Sequence, residues 1–373
     1  MSRIRVLIVD DSALMRQVLS HVLGQDSEIE VVGTAGDPYQ AWDKIQQTAP
    51  QVVTLDVEMP RMDGLTFLEK LMLARPTPVV MISSLTESGC QTTFRALELG
   101  AVDFVTKPKL DVRTGTLDLA QEIVAKVKGA ARAKPRRTPA ARAGRVPTRP
   151  TSGGLIQSTH CVVAIGASTG GTEALYELLR ELPPDFPGVA IVQHMPSGYT
   201  KSFAERLDKA CRIRVHEARD GMRILPGMAV LAPGDFHLEV QRSGAAYLAK
   251  VTRAPPVNRF RPSVDVLFTS CARNLGRHTV GVILTGMGRD GAAGMRAMFD
   301  AGAHTIAQDE ASCVVFGMPK EAIAAGGVRD VLPLERIGDR LQQLPQISSP
   351  APKRELGSTQ GVSIVPPVHP SQV

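Results

Sequence analysis

The stretch RVLIVDDSALMRQVLSHVL, Arg5 to Leu23, decides the fold. Its first part is a short apolar run, Val6 to Val9, which reads as a strand buried on both faces. From Ser12 the apolar residues recur at helical spacing, so SALMRQVLSHVL reads as an amphipathic helix packed back on that strand. The same rhythm continues outward. VVGTA (31–35), VVTLDV (52–57), PVVMIS (78–83) and DFVTKP (103–108) read as further buried strands, and GLTFLEKLMLA (64–74) reads as a helix between two of them. Strand and helix alternating in this way predict a doubly wound parallel sheet, flavodoxin-like in plan, over residues 1–125.

A second α/β pattern occupies 158–345. HCVVAIGAS (160–168), GVAIVQHM (188–195), AVLAP (229–233) and TVGVILTG (279–286) read as strands, TEALYELLREL (172–182) as a helix, and the domain is again expected to be doubly wound. Mixed strands are expected around HLEVQRSGAAYLAKV (237–251). Between the two domains, GAARAKPRRTPAARAGRVPTRPTSGG (129–154) has almost no large apolar residue and cannot form a core, so 126–157 is read as a linker. Residues 346–373 are polar and proline-rich and read as a disordered tail.

Charge is concentrated in that linker. The chain is +6 overall, yet nine basic residues lie between Lys126 and Arg149, and without them 34 basic residues face 37 acidic ones. The basicity therefore belongs to a tether and not to a folded nucleic-acid-binding face, and no nucleic-acid partner is expected. No apolar run approaches the length needed to cross a bilayer, and Asp10 and Asp11 interrupt the early apolar run that a signal peptide would need. The five cysteines are scattered without metal-ligand spacing, as suits reduced thiols. Together these features predict a cytoplasmic protein that is not inserted in a membrane.

In open α/β sheets, ligands sit at the carboxyl ends of the strands. In the first domain those ends carry Asp10 and Asp11, Asp56, Ser83 and Lys107. Gathered carboxylates repel one another, and a hard cation such as Mg²⁺ held by Asp10, Asp11 and Asp56 resolves that repulsion. Asp56 can then act as a carboxylate nucleophile toward a phosphoryl group while Lys107 offsets the transferred charge. Each residue taken alone also fits a helix cap or turn. The set in strand order resembles the receiver domain of two-component response regulators, with DD at 10–11, LDVEMPRMDG around Asp56, and KP at Lys107 and Pro108. That resemblance implies Asp56 as phosphoacceptor, with Ser83 and the aromatic Phe104 as switch residues.

In the second domain Ser168 lies where VVAIGAS turns into a helix, with Gly166, Gly170 and Gly171 permitting a tight turn. The helix N-terminus favours a nascent oxyanion there. His194 follows strand VAIVQ as a candidate base, and Asp290 follows VGVILT through the loop GMGR as a candidate orienting acid. Caps and turns again explain each singly. GASTG also fits a G-x-S-x-G elbow, whose chain order would pair Ser168 with Asp290 and His304, and GASTGG is a weaker match to a dinucleotide fingerprint.

AIGASTGG, VQHMP, RPSVDVLF, LTGMGRDGAAGM and QDEASCVVFGMPKEA together resemble the catalytic domain of the chemotaxis protein-glutamate methylesterases (CheB type). The resemblance implies a serine hydrolase that removes γ-methyl groups from glutamates of methyl-accepting chemotaxis receptors and deamidates particular glutamines. It maps the triad onto Ser168, His194 and Asp290, an oxyanion donor onto the backbone of Met287, and Thr169 beside the nucleophile. Arg261, Pro262 and Ser263 fall in a motif near the substrate cleft. The implied partners are the receptors and a chemotaxis histidine kinase, the implied unit is a monomer, and no cofactor is needed for ester hydrolysis. A receiver tethered to an esterase further suggests that the unphosphorylated receiver packs over the active-site edge and is loosened by phosphorylation.

Overall fold

Each apolar run quoted above forms a strand in the computed structural model, which describes residues 3–84, 86–107, 116–133 and 161–344. The first domain runs β1 (Ile4–Val9), α1 (Ala13–Gly24), β2 (Ile29–Ala35), α2 (Pro38–Thr48), β3 (Val52–Asp56), α3 (Gly64–Ala74), β4 (Val79–Ser83), α4 (Glu87–Glu98), β5 (Asp103–Thr106) and α5 (Thr116–Arg132). Its five strands are parallel in the order β2-β1-β3-β4-β5, a doubly wound sheet. Side chains cap several of the helices. Ser12 accepts from Met15 N at the start of α1, Asp37 caps α2 ahead of Pro38, and Asp63 caps α3.

The last helix departs from expectation. α5 continues past residue 125, and Ile123, Val127 and Ala130 are all buried against the sheet. The helical spacing of small and branched apolar residues thus persists into the stretch whose composition reads as linker. Pro108, residues 134–157 of the linker and the tail at 346–373 lie outside the described residues.

The second domain comprises β6 (Val162–Ala167), α6 (Gly171–Arg180), β7 (Gly188–Gln193), α7 (Tyr199–Ala210), β8 (Arg214–Glu217), β9 (Met228–Leu231), β10 (His237–Ser243), β11 (Ala246–Thr252), α8 (Val264–Leu275), β12 (Thr279–Ile283), α9 (Ala292–Asp300), β13 (His304–Gln308), α10 (Met318–Ala324), β14 (Asp330–Leu332) and α11 (Leu334–Gln343). Seven of its strands form one parallel sheet in the order β14-β13-β12-β6-β7-β9-β8. The chain leaves β6 toward β7 and later returns on the other side through β12, so the topological switch point lies at β6. The strands expected around 237–251 do not join this sheet: β10 and β11 pair with each other as an antiparallel hairpin, and Leu248 of β11 also bridges Arg223. Gly244, with φ of 59°, makes the tight turn, and α8 covers the hairpin, Ser270 Oγ accepting from Val240 N at 2.9 Å.

Among the described residues no helix is long and apolar enough to cross a membrane, and all five cysteines are buried and outside any disulfide.

Candidate active site and phosphorylation site

Three strand ends of the second sheet converge. Ser168 follows β6, His194 follows β7, and Asp290 precedes α9 in the loop after β12. Ser168 Oγ lies 3.1 Å from His194 Nδ1, and His194 Nε2 lies 2.8 Å from Asp290 Oδ2. The ring therefore presents Nδ1 to the hydroxyl and Nε2 to the carboxylate. Turning the ring over would place carbon atoms at both contacts, so the hydrogen bonds fix the assignment: Nε2–H donates to Asp290, and Nδ1 is free to accept from the serine hydroxyl. His304, the base of the alternative chain order, is engaged elsewhere, 2.8 Å from Asp330 at the β13–β14 edge.

Asp290 is buried, and burial alone would raise its pKa. Hydrogen bonding and charge from His194, with further bonds from Asn258 and Ser263, more than offset this and hold the carboxyl at about 2. It accepts from Ser263 Oγ at 2.7 Å, Asn258 Nδ2 at 2.9 Å and Val264 N at 2.6 Å, the last at the N-terminus of α8. An acceptor so fully occupied keeps its charge and orientation while the imidazole takes up a proton. Asn258 and the ring of Phe260, stacked on His194 with centroids 3.7 Å apart, were not among the residues singled out by sequence. Ser263 lies in the RPS motif; Asn258 and Phe260 carry no periodic or spacing signal.

Beside the serine, the loop after β12 comes close enough that a Cβ on Gly286 would stand 2.8 Å from the Ser168 Cβ. A glycine is thus required where the Met287 segment passes Ser168. Ser168 N donates to Thr285 O at 3.0 Å, which locks the turn to that loop.

The receiver covers this edge. Thr169 Oγ1 donates to Asp103 Oδ2 at 2.5 Å, and Lys126 Nζ holds the other oxygen of Asp103 at 3.1 Å. Phe104 packs on Tyr199 at 4.5 Å between centroids, and Phe94 stacks on Phe203 at 5.5 Å. Arg206 joins Glu98 of the receiver, at 2.9 Å, to Glu173 of the second domain, at 3.0 Å. Gly129 of α5 brings that helix so near that a Cβ there would lie 3.2 Å from Met287 Sδ and 3.8 Å from Thr169 Oγ1. Thr169 and Met287 thus lie beneath the receiver.

The acidic group of the receiver also assembles. Asp10, Asp11 and Asp56 offer carboxylate oxygens within 4.8 Å of one another, beside an open cleft of 490 Å³ bordered by Asp11, Val57, Glu58 and Met59. Lys107 Nζ lies 2.7 Å from Asp56 Oδ2 and 3.8 Å from Asp10 Oδ2. Ser12, and not either aspartate, caps α1, so the cap reading of this pair fails. Asp10 Oδ2 is buried without a hydrogen-bond donor, which leaves an acceptor facing the cluster as a hard cation requires. Burial pushes Asp56 up to about 6, opposed by the hydrogen bond from Lys107 and reinforced by the charge of Asp10. Ser83 Oγ, at the end of β4, accepts from Thr93 Oγ1 of α4 at 2.7 Å.

A pH effect follows from the raised value. Asp56 keeps its proton to a higher pH in the folded chain than a free carboxyl does, so a proton competes with any cation below about pH 6. Mg²⁺ affinity measured by titration calorimetry on the full chain is expected to fall by up to about tenfold for each unit below that point and to level off above it. An affinity independent of pH across that range would contradict ligation through Asp56.

Known proteins match both domains. The CheB methylesterase family model matches residues 163–341, and that of the response regulator receiver domain matches 6–114. A protein-glutamate methylesterase/protein-glutamine glutaminase of Salmonella typhimurium is 59% identical over 349 residues, 94% of this chain and 98% of the relative. The chain belongs to the protein-glutamate methylesterase/protein-glutamine glutaminase family. Protein-glutamate methylesterase/protein-glutamine glutaminase 1 of Cupriavidus metallidurans is 58% identical over 340 residues, 91% of this chain and 95% of the relative. Among solved structures, the CheB methylesterase catalytic domain of Thermotoga maritima is 41% identical, covers 48% of this chain and 96% of its own, and has a TM-score of 0.48.

Proposed function

We propose that Ser168, His194 and Asp290 form the hydrolytic relay of this methylesterase and glutaminase, and that the receiver governs access to it through phosphorylation of Asp56. Family membership makes the chain a protein-glutamate methylesterase/protein-glutamine glutaminase regulated by a receiver. The observation that carries the residue roles is the unbroken path from Ser168 Oγ through His194, 3.1 Å and 2.8 Å, to a carboxylate held ionised.

The Ser168 oxygen attacks the carbonyl carbon of a glutamate γ-methyl ester while its proton passes to Nδ1 of His194. Charge develops on the carbonyl oxygen, where the backbone N–H of Met287 is the assigned donor, with Thr169 beside it. The C–O bond to methanol breaks as the imidazolium returns the proton to the leaving oxygen. Water, deprotonated by the same nitrogen, then cleaves the glutamyl–serine ester and regenerates the hydroxyl. Deamidation of a glutamine follows the same path with ammonia leaving. No cofactor enters these steps.

In the receiver, Asp10, Asp11 and Asp56 would hold Mg²⁺, which supplies charge neutralisation for an incoming phosphoryl group. An Asp56 oxygen attacks phosphorus as the P–N bond to the donor's phosphohistidine breaks and the imidazole departs, and Lys107 Nζ attends the product at the position it now holds 2.7 Å from Asp56. The transferred group brings a charge of roughly −1.5 to −2. Lys107 and the Ser83 hydroxyl are drawn toward it; Thr93, bonded to Ser83, lies next to Phe94 on α4, and Phe104 lies on β5, so the contacts of both rings with the second domain are affected. The phosphodonor is a chemotaxis histidine kinase, and the substrates are methyl-accepting chemotaxis receptors. The protein acts as a monomer in the cytoplasm, and cysteines that are buried and outside any disulfide suit that reducing compartment.

The test is release of labelled methanol from radiomethylated receptor membranes by the full chain, with and without a small phosphodonor and Mg²⁺. The rate is expected to rise with phosphodonor in the wild type and to stay at the basal level in Asp56→Asn. An equal response in the two proteins would reject Asp56 as the acceptor.

A further inference from the structure

Residues 257–260 form a tight turn over the relay. Val257 and Phe260 exchange backbone hydrogen bonds of 3.1 Å and 2.9 Å, and the two residues between them, Asn258 and Arg259, both take left-handed conformations, φ of 53° and 71°. That is the geometry of a type I′ hairpin turn, whose first central position favours asparagine. The Asn258 amide donates to Asp290 at 2.9 Å and to Asp265 at 2.7 Å, which pins the turn to the start of α8. Its other end lays the Phe260 ring flat on His194, centroids 3.7 Å apart and planes 5° from parallel. Phe260 belongs to none of the apolar core clusters among the described residues, and the turn is otherwise exposed.

We propose that Phe260 is a positioning residue of the hydrolytic step, held by the Asn258 turn so that its ring fixes the plane of the His194 imidazole and faces the imidazolium as it forms. Rotation of an imidazole about its Cβ–Cγ bond is soft, and both relay hydrogen bonds depend on that angle. A flat ring in contact with one face blocks the rotation. The face of the phenyl ring also attracts the cation that exists only after proton transfer, so the contact is stronger in the transition state than in the ground state. Such an interaction acts on kcat and leaves KM alone.

The inference rests on His194 being the general base, and the experiment separates the two. Methyl release by the full chain, with phosphodonor and Mg²⁺, is measured for His194→Ala, Phe260→Leu, Phe260→Met and Phe260→Tyr, with thermal melting of each. Leu and Met keep apolar bulk without a flat π face; Tyr restores the face. Leu and Met are expected to lower kcat about tenfold at unchanged KM and unchanged melting temperature, and Tyr to return it to within about twofold of wild type. Wild-type kcat in both Leu and Met variants, a loss confined to KM, or a Tyr variant as impaired as Leu would overturn the positioning role. Activity retained in His194→Ala would instead overturn the base assignment on which it stands.

Discussion

Ser168→Ala is expected to reduce methyl release from methylated receptor by about ten-thousand-fold or more, with no change in melting temperature. The size of the loss follows from what the hydroxyl does: without it there is no covalent intermediate, and only binding and the oxyanion donors remain to speed direct attack by water. Stability should hold because the turn is kept by main-chain bonds. Ser168 N donates to Thr285 O and Gly171 N to Ser168 O, both of which alanine preserves. The side chain contributes a hydrogen bond to His194 at 3.1 Å, and His194 stays anchored to Asp290 and Phe260. Turnover near the wild-type rate in a folded variant would remove Ser168 from the mechanism.

Removal of the receiver is the second large effect. A chain that begins at Ser158 should hydrolyse methylated receptor about 10- to 100-fold faster than the unphosphorylated full chain, and should ignore phosphodonor. The estimate takes the closed arrangement to exceed the open one by that ratio, a bias of about 1.4 to 2.7 kcal/mol, small enough for a single phosphoryl group to reverse. The contacts are of the right kind for such a balance. Three aromatic pairs, Phe94 with Phe203 and with Tyr199, and Phe104 with Tyr199, give apolar cohesion. Arg206 between Glu98 and Glu173, and Thr169 bonded to Asp103, give register. Because Thr169 adjoins Ser168, closure occupies a polar group at the nucleophile as well as obstructing the approach of a receptor helix. Equal rates for the two chains, whether or not phosphodonor is present, would eliminate inhibition by the receiver.

Much of the layout was legible in the sequence because parallel α/β sheets concentrate chemistry at strand ends. The runs ending in Asp10, Asp56, Ser83 and Ser168 are buried strands of one rhythm, so the side of the sheet on which each polar residue emerges is fixed by topology. His194 could be found for the same reason. Asp290 lies further from its strand, beyond a glycine-rich loop, and was legible as a loop residue whose partner the fold supplies. Other features have no local signature. α5 continues to Arg132 on small residues such as Ala130 that look like linker in composition and pack like helix in three dimensions. The β10–β11 hairpin alternates well enough to read as sheet, but its Gly244 turn closes it on itself before it can join the parallel strands. Phe260 and Asn258 lie in an irregular segment, where nothing in residue spacing reports that a turn will fold over a histidine far back in the chain. The docking of Asp103 on Thr169 joins two domains through surfaces that each look ordinary alone.

A nucleophilic Ser168 uncovered by phosphorylation of the receiver can be trapped by labelling the full chain with a serine-directed phosphonate and locating the adduct by peptide mass spectrometry. Modification is expected at Ser168, faster with phosphodonor and Mg²⁺ in the wild type, unresponsive to them in Asp56→Asn, and absent in Ser168→Ala. Adducts at another residue, or a labelling rate at Ser168 that phosphodonor leaves unchanged in the wild type, would contradict it.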